Sequence, residues 1–548
     1  MPSGTLARYW HTVRHLRPVQ VYGRLWFRFS TPRPDLRPAP AARAAQAKWT
    51  RCNRKASMTG PATLRLLGVE RTLTAPGDWN RPEWTKLWIY NAHYFDDLAA
   101  ADAEARAVWH RALIARWIAE NPPGQGNGWE PYPTSLRIVN WIKHALAGHP
   151  LDDAARHSLA IQARWLRKRL EVHLLGNHLW ANAKALVFAG AYLDGPEAGE
   201  WLQHGLTLLR RELDEQILAD GGHFERSPMY HALILEDVLD LVQLAGVFPG
   251  VVVDIDVARW RESSARMLHW LRVMTHPDGG IAFFNDAAMG VAPPLADLED
   301  YAGRLGVAAR RETLGALEPL PQSGYVRLQA GPAVLIVDVA LVGPDYLPGH
   351  AHADTLSFEL SLDGKRVLVN GGTSTYEAGA ERLRQRGTAM HNTVVVDGAD
   401  SSEVWSSFRV ARRARPFDVR WGCGDDGSVW AEAAHDGYRR LPGNVVHRRR
   451  WELRALGLRV IDTVEGRLGE AVARFRFAPG LSVACAGGDG ASGEVAGAPI
   501  PLRWRAQGAR EAVVEAGTWH PRFSAGESVD VLVLAFAGAT LTTEFAWI

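Results

Sequence analysis

The stretch TLSFELSLDGKRVLVNGG, residues 355–372, decides the fold class of the second half of the chain. Apolar and polar residues alternate from Leu356 to Leu362, which is the pattern of a β-strand with one buried face. The Asp363-Gly364 pair that follows favours the positive φ angles of a tight hairpin turn. The residues predicted to share the buried face are Leu356, Phe358, Leu360 and Leu362. This stretch therefore predicts an antiparallel β-hairpin.

Helical periodicity dominates the chain before this hairpin. In YHALILEDVLDLVQLAG, residues 230–246, leucine and valine recur at helical spacing until a glycine ends the run. Comparable segments with short Gly/Pro breaks extend from about Trp84 to Leu317, and β-like alternation continues after Pro319. Helices followed by strands predict a ring or bundle of paired helices and then an antiparallel β-sandwich.

Three units follow from these patterns. Residues 1–83 are rich in Arg, Pro and Trp with weak periodicity, and they are predicted to form an arm or small appendage. Residues 84–318 are predicted to form the helical domain, and residues 319–548 the β-sandwich. No internal repeat of fixed length is visible.

The composition is that of a folded protein with a substantial core, with 47% hydrophobic and 22% charged residues. A formal net charge of +2 lacks the strong positive field of nucleic-acid-binding proteins, so we expect no nucleic-acid partner. An anionic ligand would have to be held by local arginine clusters. Two such clusters are Arg382, Arg384 and Arg386, and Arg409, Arg412, Arg413 and Arg415.

Cysteine usage and apolar runs bear on the cellular compartment. Three cysteines without a CxxC pair predict no disulfide framework. The first thirty residues are basic and aromatic and lack the apolar run of a signal peptide. No run reaches the roughly 18 apolar residues of a membrane span. We therefore expect no membrane span and a cytoplasmic location by default, with the periplasm or secretion as alternatives.

A first candidate motif is LLGNHLWANAKALVFAG, in which Asn177 and His178 stand at the predicted start of a helix. An amide beside an imidazole can bind a carboxylate with one side chain and move a proton with the other. The alternative is that both residues only cap the helix and satisfy buried polar groups.

A second candidate motif is GGHFERSPMYHALILEDV. Ser227 is a good N-cap and Pro228 suits the first helical position, which places Tyr230 in the first turn. The positive end of the helix favours a phenolate there, whereas burial opposes it. Tyr230 is thus a candidate for proton transfer, and core packing is the alternative.

A third candidate motif is GHAHADTLSFEL. His350 and His352 lie two residues apart at the predicted start of a strand, so they should point to one side with Asp354 in register. Together with His391 they suit a zinc-like ion. A structural metal and a catalytic site both remain open from these residues.

Aromatic residues form a fourth feature, because the chain holds 22 tryptophans. In GWEPYPTSLRIVNWIKH, Trp129 and Arg137 are predicted to face a cleft, whereas Trp141 fits a core position. Flat aromatic rings stack on sugar rings, and arginine pairs with carboxylate or sulfate groups in a fork. This segment therefore suggests a sugar-binding surface.

Taken in order, the motifs GNH, SPMYH, HAHADTLSFEL, NGGTSTYE and RQRGTAMHNTVVVDG resemble the heparinase II/III family of polysaccharide lyases, which includes heparin lyases and oligoalginate lyases. The resemblance covers roughly residues 85–420, and five motifs in the right order are far more specific than any one alone. It implies an incomplete (α/α) toroid followed by an antiparallel β-sandwich, with the active cleft between them.

The resemblance also implies roles for the candidate residues. Asn177 would neutralise a uronate carboxylate, and Tyr230 would protonate the leaving oxygen at C4. His178, or Tyr230 itself, would remove the C5 proton, depending on the configuration at C5. His350 would complete the neutralisation or assist the proton transfer. The residues assigned to substrate binding are Trp129, Arg137, Glu225, Tyr376 and Arg386.

The family's metal site, in members that have one, maps onto His352, Asn370 and His391. Many relatives carry aspartate where this chain has Asn370. A neutral amide oxygen would bind zinc less tightly than a carboxylate. The resemblance implies one structural zinc or similar divalent ion, and Asn370 implies that it would be bound less tightly. No organic cofactor is expected.

The predicted function is cleavage of a uronic-acid-containing glycan by β-elimination, which leaves a 4,5-unsaturated uronate end. A moderately charged polymer such as alginate or a bacterial exopolysaccharide fits the net charge better than a heavily sulfated glycosaminoglycan. A glycoside hydrolase using Glu225, Asp286 or Asp354 is one alternative. A glycan-binding protein without turnover is the other.

Overall fold

The computed structural model describes residues 3–307, 313–486 and 491–548, in which an α-helical part precedes a β-rich part. This order confirms the predicted fold class. The α-helices are α1 Ser3–Val13, α2 Pro18–Phe29, α3 Lys86–Tyr94, α4 Ala107–Glu120, α5 Pro131–Leu146, α6 Asp153–Arg167, α7 Gly176–Tyr192, α8 Pro196–Gln216, α9 Pro228–Val247, α10 Asp254–Val273, α11 Leu295–Arg304 and α12 Ala380–Arg386. None of these helices is long and apolar enough to cross a bilayer.

The helical part has an inner and an outer layer. Helices α5, α7 and α9 are buried on nearly every side, and most of the polar residues among them are buried as well. Helices α8 and α10 each bury one face and expose the other, as expected of amphipathic helices on a surface, whereas α6 exposes residues only near its two ends. Paired inner and outer helices are the arrangement of an (α/α) toroid.

A buried carboxylate joins the three inner helices. Asp240 of α9 accepts hydrogen bonds from Lys143 Nζ of α5 at 2.8 Å and from Lys184 Nζ of α7 at 2.6 Å. Burial raises the pKa of Asp240, but the two ammonium groups outweigh it and hold the pKa low. Because each charge has a partner, their mutual attraction and hydrogen bonds offset the desolvation penalty of burial.

An extended segment before the toroid covers the C-terminal ends of the same inner helices. The backbone N–H groups of Arg43, Gln46 and Trp49 donate to the last carbonyl oxygens of α7, α9 and α5, respectively. The final carbonyls of a helix have no partner within it, so this strap satisfies groups that would otherwise be orphaned. Residues 1–83, predicted as an arm or appendage, thus contain α1, α2, the strap and a small sheet.

The strands form five antiparallel sheets in the described residues. They are β1 Met58–Gly60, β2 Thr63–Leu66, β3 Val69–Thr72, β4 Leu317–Leu320, β5 Tyr325–Ala330, β6 Ala333–Asp338, β7 Phe358–Leu362, β8 Lys365–Leu368, β9 Val394–Val396, β10 Val404–Trp405, β11 Arg409–Val410, β12 Pro416–Cys423, β13 Val429–His435, β14 Val446–Arg454, β15 Gly457–Glu465, β16 Ala471–Arg476, β17 Ser482–Val483, β18 Ser492–Ala496, β19 Leu502–Gln507, β20 Glu511–Trp519, β21 Glu527–Phe536 and β22 Thr540–Trp547. The sheet order is β4-β5-β6-β7-β8 in one layer, β20-β21-β16-β9 in another and β12-β13-β14-β15-β22-β19-β18-β17 in the largest, with β1-β2-β3 and β10-β11 apart.

The predicted hairpin is confirmed at β7 and β8. Asp363 and Gly364 have φ angles of 45° and 80°, and Leu362 pairs with Lys365 across the turn. The prediction of one buried face is incomplete, since every residue of β7 is buried. The reverse face packs against the helical part, where Ser361 Oγ lies 2.8 Å from His276 Nδ1. The sheet is thereby held against the toroid.

Gly190 tests the close packing of α7 against α8. A methyl group there would come within 2.5 Å of Ala198 O and Leu202 N. We expect Gly190→Ala to lower the free energy of unfolding by about 1–3 kcal/mol, because the inserted carbon overpacks the interface. Urea unfolding followed by tryptophan fluorescence measures the effect.

The matched control is Gly246→Ala, since Gly246 also lies in a buried helix but has no atom within 4 Å of the added carbon. Its midpoint should stay unchanged or rise slightly, as alanine favours helix over glycine. Equal losses in both variants would contradict the close approach of α7 and α8.

Candidate active site

The N-terminal end of α7 lies against the β-rich part, and it carries Asn177 and His178 as predicted. Gly176 begins the helix with a φ of +53°, a conformation that suits glycine. A side chain at this position would meet Leu347 Cδ2 at 2.4 Å and Glu225 Oε1 at 2.9 Å. The helix therefore begins in a crowded junction between the two parts of the chain.

The N-terminal end of α9 lies in the same junction. Ser227 Oγ accepts a hydrogen bond from Tyr230 N at 3.2 Å, so the predicted cap and the position of Tyr230 in the first turn are confirmed. The Tyr230 hydroxyl lies 3.1 Å from the Tyr376 hydroxyl of the β-rich part. The ring of Tyr230 packs on the ring of His350, with 4.0 Å between centroids.

The protonation state of Tyr230 follows from this setting. Burial, the Tyr376 hydroxyl and the negative charge of Asp286 raise the pKa of Tyr230 well above its usual value. Burial is the largest of these causes. Tyr230 is therefore a neutral phenol at neutral pH, able to donate a proton.

Asp286 is the centre of the polar network in this junction, in the connection between α10 and α11. His350 Nδ1 and His352 Nε2 each lie 2.9 Å from one of its carboxylate oxygens. Arg382 of α12 donates to both oxygens, with Nη2 2.7 Å from Oδ2. The carboxylate and the guanidinium are both fully buried.

The charge of Asp286 is fixed by these partners. Burial raises the pKa of Asp286, but the Arg382 guanidinium and the hydrogen bonds from the two imidazoles hold the pKa well below its usual value. A carboxylate anion can only accept, so His350 carries its proton on Nδ1. In the neutral ring, Nε2 of His350 then presents its lone pair to the junction.

Glu225 lies on the other side of His350. Its Oε2 is 3.6 Å from His350 Nε2, and its Oε1 accepts a weak hydrogen bond from Asn177 N at 3.4 Å. Burial raises the pKa of Glu225, although His350 and the Asn177 N–H lower it in part. The side chain is a buried acid poised between α7 and the β-rich part.

His178 occupies the outer part of the site, with 32% of its side chain exposed. Its Nδ1 lies 3.2 Å from Glu171 Oε1, and its ring packs on Tyr132 with 4.5 Å between centroids. Burial lowers the pKa of His178, but the Glu171 carboxylate outweighs it and raises the pKa above the usual value. His178 is therefore a stronger base than a free histidine.

The segment that carries Glu225 also lines a cavity of about 280 Å³ between α8 and the β-rich part. Arg413 and Arg415, from the second arginine cluster of the sequence, lie in its wall beside Arg226. Arg413 is anchored to Asp345 at 2.9 Å, while Arg415 is exposed. Glu215 and Asp345 also line the cavity, so its wall carries both signs of charge.

The arrangement combines a phenol that can donate a proton with imidazoles that can accept one. The Asn177 side-chain amide has no hydrogen-bond partner within the described residues, so it is free to bind a ligand. Amide and imidazole groups together suit a carboxylate ligand. The geometry therefore supports general acid–base chemistry beside a bound anion.

Two family models match the chain. The model described as Heparinase II/III N-terminus matches residues 154–301, and the model described as Heparinase II/III-like, C-terminal matches residues 312–548. The chain belongs to the heparinase II/III family. This membership confirms the resemblance drawn from the five motifs.

Individual relatives agree with the family assignment. A heparin-sulfate lyase of Bacteroides stercoris is 24% identical over 49% of this chain, and the chain spans only 40% of that relative's length. FtsZ-localized protein C of Caulobacter vibrioides is 29% identical over 72% of this chain and 67% of its own length. The crystal structure of heparinase III shares the fold, with a TM-score of 0.67 and 19% identity over 83% of this chain and 76% of the other.

Three residues assigned to substrate binding do not reach the junction surface. Trp129 is 3% exposed and its Nε1 donates to Asn121 O, while Arg137 is fully buried and donates to Gln162 Oε1 and to backbone carbonyls. Arg386 is also fully buried, and it donates to Ala351 O. These side chains are satisfied inside the protein, so the expectation that they face a ligand is corrected. Glu225 and Tyr376, in contrast, lie in the site.

The metal ligands implied by the heparinase II/III resemblance are only partly brought together. His352 Nδ1 and His391 Nε2 are 3.3 Å apart, close enough for one ion to bind both. The Asn370 amide is already bonded to Ser357 Oγ and Asn392 N. The described residues contain no group of three or more His, Cys, Asp or Glu that could hold a metal. They do not fit a closed zinc site, which takes four ligands.

Sequence reasoning missed the central position of Asp286 and Arg382. Asp286 was considered only as a carboxylate for hydrolysis, and Arg382 only as part of a basic cluster for anions. The missed signal is chemical: FFNDAA places a lone acidic residue in an apolar stretch, and such a residue needs a cation when buried. His350 and His352 also lie in a loop before β7 rather than in a strand, and Asp286 is what directs both rings.

Replacing Asp286 tests its central position. We expect Asp286→Asn to lower the free energy of unfolding by about 3–5 kcal/mol, because Arg382 is left as an uncompensated buried charge. Urea unfolding by circular dichroism measures this loss. Asp426→Asn is the control, since Asp426 pairs with Arg454 on the surface and its loss should leave the midpoint unchanged. Similar midpoints for the two variants would contradict the buried ion pair.

Replacing Glu225 tests its raised pKa. In the native protein this group binds its proton more tightly than in the unfolded chain, so its contribution to stability is present below about pH 4 and is lost as pH rises toward the raised folded pKa. Glu225→Gln removes that titration. We expect the stability of the variant to fall less than that of the parent from about pH 4 to pH 8, as measured by urea midpoints. Parallel pH profiles would show that Glu225 titrates normally.

Proposed function

We propose that the protein is a polysaccharide lyase that cleaves a uronic-acid-containing glycan by β-elimination and leaves a 4,5-unsaturated uronate end. The observation that carries the proposal is the neutral Tyr230 phenol packed on His350, beside the free amide of Asn177. Elimination needs an anion-binding group, a base for the C5 proton and an acid for the leaving oxygen. The site holds a candidate for each.

The roles follow from the chemistry of each group. A proton next to a carboxylate is very weakly acidic until that carboxylate is paired, and the Asn177 amide would provide the pairing, joined by His350 only when its Nε2 also carries a proton. His178, whose pKa is raised by Glu171, would remove the C5 proton. Tyr230 would donate its proton to the oxygen leaving C4, since its high pKa keeps it protonated. This favours Tyr230 as acid over Tyr230 as base.

The contacts of Asp286 argue against a glycoside hydrolase. Hydrolysis with paired carboxylates needs one free to act as nucleophile or base. Asp286 is fully buried and holds Arg382, His350 and His352, so it is not available for that role. Asp354 is also buried and accepts from Asn285 N at 2.8 Å. Of the three carboxylates named for hydrolysis, Glu225 alone remains.

The placement of the arginines bears on the substrate. Arg382 and Arg386 donate their hydrogen bonds to groups inside the protein, so neither is available to bind a sulfate group. Arg415 in the cavity wall is exposed, but it already lies 3.4 Å from the Asp345 carboxylate. This supports a moderately charged uronate polymer, such as alginate or an exopolysaccharide, over a heavily sulfated glycosaminoglycan. Because some relatives are described as heparin-sulfate lyases, a glycosaminoglycan is also included among the substrates to be tested.

A second candidate is a glycan-binding protein without turnover. The relative described as FtsZ-localized protein C aligns over 72% of this chain, more than the 49% of the Bacteroides stercoris lyase. Its name states a location and no enzymatic activity. A shared fold can therefore serve a role other than cleavage.

The decisive experiment follows ultraviolet absorbance of the 4,5-unsaturated uronate while the protein is incubated with alginate, heparan sulfate and bacterial exopolysaccharides. We expect a rise on one substrate and a loss of about 10²-fold or more in kcat for Tyr230→Phe, because the acid is removed. Tyr192→Phe is the matched control, since Tyr192 is also buried but lies at the opposite end of α7.

The other outcomes separate the alternatives. New reducing ends without absorbance would indicate a hydrolase. Saturable binding of a glycan without any product, unchanged in Tyr230→Phe, would favour the binding protein. Equal activity in the Tyr230 and Tyr192 variants would exclude Tyr230 as the acid.

A further inference from the structure

The first two helices expose an unusual amount of apolar surface. Trp26 is 70% exposed and Phe29 79%, and Trp10 of α1 is 63% exposed. The exposed apolar residues of the two helices are Leu6, Tyr9, Trp10, Val13, Val21, Tyr22, Leu25, Trp26 and Phe29. Soluble proteins rarely leave contiguous apolar patches of this kind without a partner.

The exposed residues form a stripe on each helix. On α2, Val21, Leu25 and Phe29 recur every four residues, so they lie on one side of the helix. The opposite side carries Gln20 and Gly23, which are the buried residues of α2. Helix α2 is thus inverted relative to an ordinary surface helix, with a polar and small side inward and the aromatic side outward.

The inward side is fixed to both parts of the protein. Gln20 Nε2 donates to Tyr346 O at 3.0 Å, and the Arg17 guanidinium lies 3.7 Å from the centre of the Tyr346 ring. Phe27 packs on His173, with 4.4 Å between centroids. The outward stripe therefore belongs to a helix with a defined orientation.

The same segment is strongly basic. Residues 3–34 contain no Asp or Glu, and the first acidic residue of the chain is Asp35. The arginines of this segment are Arg8, Arg14, Arg17, Arg24, Arg28 and Arg33. The whole chain has a net charge of only +2, so the rest of it is net negative. Positive charge is therefore concentrated beside the apolar stripes.

We infer that α1 and α2 form a docking surface for an anionic lipid bilayer. A helix that lies in the interface of a bilayer needs an apolar side with Trp, Phe and Leu and arginines at its border. Tryptophan and tyrosine prefer the level of the lipid headgroups, and arginines attract anionic lipids. Six arginines without an acidic residue in residues 3–34 complement a surface that is negative throughout, as an anionic leaflet is.

Docking would also orient the site. Tyr346, which α2 contacts, lines the same cavity as Phe224 and Arg226, the sequence neighbours of Glu225. A bilayer bound at α1 and α2 would therefore lie on the side of the protein where this cavity is formed. The inference does not depend on the proposed lyase activity, since it uses no residue of the acid–base site.

The test is co-sedimentation of the full chain with vesicles of phosphatidylcholine, with and without phosphatidylglycerol. We expect binding that requires phosphatidylglycerol and weakens as salt is added. The double variant Arg8→Glu with Arg28→Glu should reduce binding by roughly tenfold or more. Trp26→Ser with Phe29→Ser should reduce it at any salt concentration, because the apolar side is removed.

Two control variants match these changes elsewhere on the surface. Ile255→Ser removes an apolar side chain that is 70% exposed, as Trp26 is, and Arg505→Glu reverses an exposed charge on β19. Both should bind as the parent does. All variants change exposed side chains, so circular dichroism should confirm an unchanged fold.

Three results would overturn the inference. One is absence of vesicle binding under all conditions, and another is binding that the control variants reduce as much as the α1 and α2 variants do. The third is a concentration-dependent dimer that Trp26→Ser with Phe29→Ser abolishes, without any vesicle binding. That result would assign the surface to a second copy of the chain.

Discussion

The ion pair between Asp286 and Arg382 is the interaction on which the rest of the site depends. Its carboxylate directs two imidazoles at once, and its backbone accepts and donates across the same junction through Ser227 Oγ and His350 O. A buried anion of this kind is stable only while every partner is present. The packing of the junction and the position of the proton on His350 Nδ1 therefore both depend on this ion pair.

The inner helices contribute to the site through the direction in which they run. Helices α7 and α9 both begin at the junction, so the positive ends of their dipoles meet where an anionic ligand would bind. Asn177 stands in the first turn of α7 and Tyr230 in the first turn of α9. Helix direction thus brings residues more than fifty positions apart in the sequence into one small volume.

Periodicity and caps were enough to predict the order of helices and strands, the hairpin turn at Asp363 and the first turn that carries Tyr230. They could not predict burial on both faces of β7, because that depends on a loop from the toroid. The prediction that Trp129 and Arg137 face a cleft was wrong for a related reason. Composition suggested a sugar-binding surface, but the partners that bury Arg137, such as Gln162, are remote in sequence. Local patterns predict local structure, and the contacts between the two parts decide the site.

The strap at Arg43, Gln46 and Trp49 gives the toroid a closed end and an open end. Because it ties the final carbonyls of α7, α9 and α5, the inner helices are pinned on the side remote from the junction. Any breathing of the ring is then concentrated at the N-terminal ends of these helices. The junction end of the ring can then adjust its width, while the scaffold behind it keeps its shape.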